Sequence, residues 1–513
     1  MLFHSYVFLL AFLPITWAGF LLLKRQGRGR AAAWWLLASS LFFYGWWNPK
    51  FLLLILASIS GNFAFGLALG GAAPGARKPL LLAGLAFNLG ILGYFKYAGF
   101  LLDVFDQFTG QSHAPLAIVL PLAISFYTFQ QISYVVDTYR SGKPECNFLS
   151  YCLFIVIFPH LIAGPITHHS KIIPQFAGFY DRTFHGIDYA VGLSLIAVGL
   201  MKKVWLADPV GGYFIGAYPL IDEGVPLGFF ESWGVMTACA LQIYFDYSGY
   251  ADMAAGLGLL FGVRMPLNFF SPYKATSPID FWRRWNMTLM KFLRDYIYIP
   301  IGGSRYGELR KYTASMVTMV VCGLWHGSGW NYIVWGVAVG LIIMFNNLWD
   351  RFLHFAPPVT ALGRYLRMLS GRLVTFCCYV LPLAIFMFPS LSDGARMVKG
   401  MLGFQGFALP IFMADTLGAL PGVHYADLPV IPGWSMLGWI GICLFVTYGM
   451  PNTEQLFGRY RPTQHSLSAE TLQPERVLFT WHPNTVWAWI VGAMIVVSLT
   501  QLSHVREFFY FQF

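Results

Sequence analysis

Long apolar stretches, divided by short polar connectors, recur from one end of this chain to the other. They fall at 5–23, 31–47, 51–70, 80–100, 115–136, 148–166, 186–201, 228–245, 312–346, 371–389, 434–449 and 484–502. A helix that crosses a bilayer needs roughly 20 such residues. The pattern therefore predicts an all-α polytopic membrane protein with about ten to thirteen transmembrane or re-entrant helices. The first run does not read as a removable signal peptide, because its basic residues follow it and no A-x-A site appears. No internal repeat is visible. The polar stretches 350–370 and 451–483 read as loops within one polytopic domain, whose parts are N-terminal spans (1–145), a central core (146–346) and C-terminal spans and loops (347–513).

Composition supports this and closes other classes. Of 513 residues, 57% are hydrophobic, 18% aromatic and 11% charged. A soluble domain carries about 25% charged residues, so a cytosolic globular enzyme, a disordered chain and a nucleic-acid binder are excluded. The formal charge of +10 then becomes a question of membrane sidedness. Lys24, Arg25, Arg28 and Arg30 follow the first run directly, which places that loop in the cytosol and the N-terminus outside. Arg77, Lys78, Arg140 and Lys143 fall on the same inner side. Between Arg264 and Lys311 lie 9 of the 33 basic residues, where even spreading would give about three. This is a cytosolic block under the positive-inside rule, and it could also draw in an anionic cytosolic ligand. The seven cysteines form no C-x-x-C, so neither a disulfide framework nor a zinc site is expected.

Several enzyme signatures are missing: G-x-S-x-G, H-E-x-x-H, the phosphate-binding G-x-x-x-x-G-K-[ST], and a histidine with aspartate five residues on. The candidates are instead polar residues set in apolar sequence, where they are costly and point to function. His326 in VVCGLWHGSGWNYIVWG leads. Its apolar stretch, Thr313–Phe345, is too long for one straight span, and Gly327 and Gly329 offer a break beside the histidine. Such a break is tolerated at membrane depth where it lines a protein cavity. A helix starting near Lys311 would put His326 about 22 Å along it, flanked by Trp325 and Trp330. A second cluster, 280–303, interleaves aromatic and basic residues (Trp285, Arg283 and Arg284 among them) and also holds Asp295, like a helix lying at the membrane interface. A third, Tyr244–Ala254, sets Asp246 and Asp252 to pair with arginine or cap a broken helix, beside Ser248, a weak nucleophile with no adjacent base. A fourth, Phe158–Phe176, holds His160, His168 and His169. With no cysteine or carboxylate at ligand spacing, no metal site is expected there. The sequon at Asn286 sits in the basic block and reads as coincidence.

Together these clusters resemble the membrane-bound O-acyltransferase (MBOAT) superfamily, and more closely its bacterial alginate O-acetyltransferase branch. The likeness runs through LFFYGWWNPKF, ILGYFKYAGF, LPLAISFYTFQQISYVVDTYR, FPHLIAGPI, LQIYFDYSGYADMAAGLGLLFG, DFWRRWN…FLRDYIYIPIGGSR and GLWHGSGWNYIVWG. The resemblance implies helices around a central pocket or tunnel. It also implies transfer of an acetyl group from a cytosolic thioester, acetyl-CoA or another acyl donor, to an exopolysaccharide such as alginate or cellulose. His326 falls on the histidine regarded as catalytic. The branch usually reads RRWH where this chain has RRWN, so the implied pair is Asn286 with His326, as in the wider superfamily. Where the branch often has FRA the chain reads FPS (Phe388–Ser390). No bound cofactor is expected. The implied partners are membrane lipid, the polymer and a separate extracytoplasmic acetyltransferase, in the bacterial inner membrane. Peptidoglycan O-acetylation and teichoic-acid D-alanylation would use the same core. A non-catalytic transporter or export channel, with His326 as a proton relay, is the alternative of another class.

Overall fold

Hydrocarbon offers the backbone no hydrogen-bond partner, so apolar runs must close their own N–H and C=O groups as helices. The computed structural model, which describes residues 1–177, 179, 186–353, 359–431, 433–464, 479–504 and 506, follows this rule. In chain order the main helices are α1 (Val7–Arg25), α2 (Gly29–Gly45), α3 (Lys50–Gly71), α4 (Pro74–Thr109), α5 (Ile124–Ser141), α6 (Phe148–Val156), α7 (His169–Ala177) and α8 (Gly186–Asp222). They continue with α9 (Phe229–Leu260), α10 (Pro278–Arg284), α11 (Met287–Leu293), α12 (Glu308–His326), α13 (Trp330–Phe352), α14 (Ala361–Met387), α15 (Leu391–Met401), α16 (Trp434–Gly449) and α17 (Thr485–Gln501). Among the described residues the strands are β1 (Leu409–Pro410) and β2 (Tyr425–Ala426), parallel, with Leu409 opposite Tyr425.

Six helices among the described residues, α1, α3, α4, α8, α13 and α14, are long and apolar enough to cross a membrane, and α16 and α17 are shorter apolar helices. The other expected runs are also helical, but short or buried. The run 115–136 becomes helical only from Ile124, after Pro121, because proline disfavours helix in the residue before it. The run 148–166 stops at Val156 and resumes as a four-residue turn carrying Pro159. One expectation is corrected: 350–370 is mostly helix rather than loop, since α13 extends to Phe352 and α14 starts at Ala361. Of the expected loop 451–483, residues 465–478 lie outside the described residues.

Starts are marked locally. Asn147, Ser277, Thr360 and Asn484 each accept a backbone N–H two or three residues into α6, α10, α14 and α17. Such caps satisfy N–H groups that have no intrahelical partner.

The chain's contacts gather into two units, one of Met1–Leu200, Tyr250–Leu267 and Thr453–Ser503, the other built mainly of Met201–Gly249 and Asn268–Asn452. In the first, Phe3, Phe8, Phe12, Phe43, Phe158 and Tyr250 form a contiguous aromatic core. Asn62 of α3 and Asn88 of α4 exchange amide hydrogen bonds of 3.1 and 2.6 Å, both side chains buried. Polar pairs of this kind join helices where apolar burial gives no preference for one partner over lipid. In the second, α12 and α13 form a close hairpin. A Cβ on Gly336 would lie 2.5 Å from the Met319 carbonyl oxygen, and one on Gly323 would lie 2.1 Å from that of Tyr332. Only glycine permits that approach.

Candidate active site

The second unit holds the site. The apolar stretch around His326 breaks where the glycines suggested, with α12 ending at His326 and α13 starting at Trp330. The helix begins at Glu308, so His326 is its last residue, about 27 Å from its start. Its ring is half-buried and packed edge-on against aromatic faces. Trp335 of α13 lies at 5.5 Å and 84°, Phe386 of α14 at 5.1 Å and 85°, and the adjacent Trp325 at 4.8 Å and 76°. Asn331 donates its amide to the Phe386 carbonyl at 3.1 Å, which fastens the start of α13 to α14. Trp325 is buried, whereas Trp330 is exposed.

The stretch 280–303 departs from the single interfacial helix expected. It breaks at Trp285–Asn286 into α10 and α11, and its aromatic side turns inward, with Phe281, Trp285 and Phe292 all buried. Pairing with residues 268–270 imposes the break. Phe270 N–H donates to Arg284 O, Met287 N–H to Asn268 O, and the Thr288 hydroxyl to Asn268 Oδ1 at 2.8 Å. Asn286 takes a left-handed backbone (φ 41°) and is 3% exposed. Asparagine is among the few non-glycine residues that adopt this conformation readily. Its Oδ1 accepts from the Tyr247 hydroxyl at 3.4 Å.

Trp285 and His326 both pack on α14. Trp285, next to Asn286, packs on Tyr379 of α14 at 5.3 Å, and His326 packs on Phe386, seven residues further along the same face. Two turns of helix span about 11 Å. Trp282 of α10 meets Trp335 at 5.9 Å and closes the ring of contacts. Tyr247, Tyr379 and Phe386 were not among the sequence candidates. Tyr247 lies inside the third cluster, where Asp246, Asp252 and Ser248 drew the attention, and Tyr379 and Phe386 sit in an ordinary apolar stretch with no motif to mark them.

The remaining candidates scatter. Asp246 pairs with Lys203 at 2.9 Å, and Lys203 also contacts Asp208 at 2.9 Å. This corrects the arginine pairing and the helix cap expected of Asp246, since α9 is unbroken and the partner is a lysine 43 residues upstream. Asp252, in the first unit, accepts from Thr453 at 2.8 Å. Ser248 is buried, and among the described residues its hydroxyl has no hydrogen-bond partner. Arg284 pairs with Asp280 at 3.0 Å, and Arg294 with Asp295 at 2.8 Å. Arg283 and Arg305 of the basic block are exposed. In the first unit, the buried His160 ring lies 3.3 Å from the Gln130 amide, while His168 and His169 both face Asp137. That carboxylate was missed because it precedes the histidines by about thirty residues.

The fold and these clusters define a polytopic membrane protein with a half-buried histidine set at a helix break. A model of the MBOAT, membrane-bound O-acyltransferase family, matches residues 143–390, which include both Asn286 and His326. The chain is 36% identical to the peptidoglycan O-acetyltransferase of Helicobacter pylori over 80% of this chain and 81% of that one. It is 37% identical to the probable alginate O-acetylase AlgI of Pseudomonas aeruginosa, over 80% and 76% respectively. To the probable alginate O-acetylase AlgI of Pseudomonas putida it is 33% identical over 100% of both. The chain belongs to the membrane-bound O-acyltransferase family. It is an integral membrane enzyme that transfers acyl groups, which removes the non-catalytic transporter alternative.

Proposed function

We propose that this enzyme takes an acetyl group from acetyl-CoA at the cytosolic face and delivers it for O-acetylation of an extracytoplasmic polysaccharide of the alginate or cellulose class. His326 serves as general base and Asn286 as amide donor to the developing oxyanion. The observation that carries this reading is His326 at a helix break inside the aromatic packing of Trp325, Trp335 and Phe386, with Trp285, the neighbour of Asn286, on the same helix α14. The imidazole takes the proton of the acceptor hydroxyl as its oxygen attacks the thioester carbonyl. The C–S bond then breaks, and the departing thiolate recovers that proton. The carbonyl oxygen, negative in the transition state, needs fixed donors. The Asn286 amide and the first N–H groups of α13, which lack intrahelical partners, are suited to this. Exposed Arg283 and Arg305 would attract the phosphates of the donor.

The core assigned to residues 146–346 takes α14 as an additional wall. The basic loops after α1 and in 264–311 support an inner-membrane setting with the N-terminus outside. The branch resemblance supports a separate extracytoplasmic acetyltransferase as the partner that finishes the transfer. A second acceptor, peptidoglycan, is supported by the likeness to the Helicobacter pylori enzyme. In a strain carrying His326→Ala, the exopolysaccharide should lose its alkali-labile acetate while the protein inserts normally. Loss from muramic acid instead would select the second acceptor. Unchanged acetate on both polymers would refute the assignment.

A further inference from the structure

The two adjacent histidines of the first unit meet a carboxylate that the sequence pattern did not bring to them. Asp137 lies near the C-terminal end of α5, His168 just before α7, and His169 at its first position. His168 Nε2 is 2.9 Å and His169 Nδ1 3.7 Å from the same oxygen, Asp137 Oδ2. One ligand atom from each of the three residues lies within 4.8 Å of the others. The side chains are 30%, 19% and 20% exposed for His168, His169 and Asp137, so an ion could enter yet stay sheltered.

Each group is oriented from behind. His168 Nδ1 lies 2.9 Å from the Ser170 hydroxyl. When that nitrogen donates to Ser170, Nε2 directs its lone pair at the carboxylate, which is repulsive unless a cation stands between them. The His169 ring stacks on His168 at 5.0 Å and 27° and meets the edge of Tyr134 at 5.6 Å. Its Nδ1 is buried and has no hydrogen-bond partner among the described residues. Arg140 contacts the other carboxylate oxygen, Oδ1, at 3.6 Å.

We propose that Asp137 Oδ2, His168 Nε2 and His169 Nδ1 bind a divalent transition-metal ion of the zinc class, with solvent in the fourth position. Tetrahedral zinc with ligands at about 2.0–2.1 Å keeps neighbouring ligand atoms about 3.4 Å apart. The observed 2.9 and 3.7 Å bracket that value. Two imidazoles select against magnesium and calcium, which prefer oxygen ligands. The ion would fasten the end of α5 to the start of α7.

The test uses the full chain, purified in detergent without a histidine tag and stripped with EDTA, then titrated with Co²⁺ and competed with Zn²⁺. One Co²⁺ per chain is expected, with visible d–d absorption that Zn²⁺ abolishes and a melting midpoint that Zn²⁺ raises. Asp137→Asn, close in shape to the native residue, and His169→Ala should each weaken binding at least ten-fold. His113→Ala, at an exposed histidine outside the cluster, should leave it unchanged. No stoichiometric binding at micromolar Co²⁺, or binding as tight as wild type in the two cluster variants, would overturn the site.

Discussion

At the scale of residues, Asn286 combines an observed backbone role with the chemical one proposed for it, and substitution separates them. Glycine accepts φ 41° without strain, so Asn286→Gly should keep the melting temperature within a few degrees. Acetyl transfer should still fall on the order of 100-fold, as when an oxyanion donor is removed. Asn286→Ala should lose the same activity and also pay about 1 kcal/mol for a left-handed alanine, read as a lower melting midpoint. Glu454 makes a separate prediction. It is 4% exposed, accepts from Thr463 at 2.7 Å, and has its pKa pushed up to about 7 by burial, with Thr463 opposing and Asp252 adding. A carboxyl raised from 4.5 contributes stability that is complete below that value and lost as pH climbs through 7. Stability should therefore fall between pH 5 and pH 8 by no more than about 3 kcal/mol, seen as a lower melting midpoint. Glu454→Gln should flatten that dependence.

At the scale of elements, the α12–α13 hairpin depends on glycines meeting backbone. Gly336→Val would press a side chain onto the Met319 carbonyl and the Val320 Cα, 2.8 Å from the Cβ. It should cost more than about 2 kcal/mol, seen as lost folded yield and a lower midpoint. Lys203 is 1% exposed between Asp208 and Asp246. Lys203→Met should destabilise by about 3–5 kcal/mol, because two buried carboxylates lose their counter-charge. Adding Asp208→Asn and Asp246→Asn should restore much of the loss. These elements also show what was legible in sequence. The break after His326 could be read because a run too long for one span carried two glycines at its middle. The break at Asn286 could not be read, because an amphipathic pattern continues unbroken through it and the cause is tertiary pairing with residues 268–270. For the same reason Lys203 and Asp137 escaped notice. Each joins its cluster from a distant helix, and a single sequence carries no local sign of that.

At the scale of the molecule, the scarcity of charge established the class and the placement of charge proposed its orientation. Helical apolar runs, the motif around His326 and the family were all legible from the chain. The contacts that α14 makes with Trp285 and His326 were not, since Tyr379 and Phe386 resemble any other aromatic residues in a span. The central claim is that acyl transfer runs through His326, the half-buried imidazole at the break after α12. Its most direct test is thioester turnover by the purified full chain in detergent, wild type against His326→Ala, with free CoA released from acetyl-CoA as the readout. The account predicts a fall of about 10²–10⁴-fold at an unchanged melting midpoint. Turnover equal to wild type in the His326→Ala protein would contradict it.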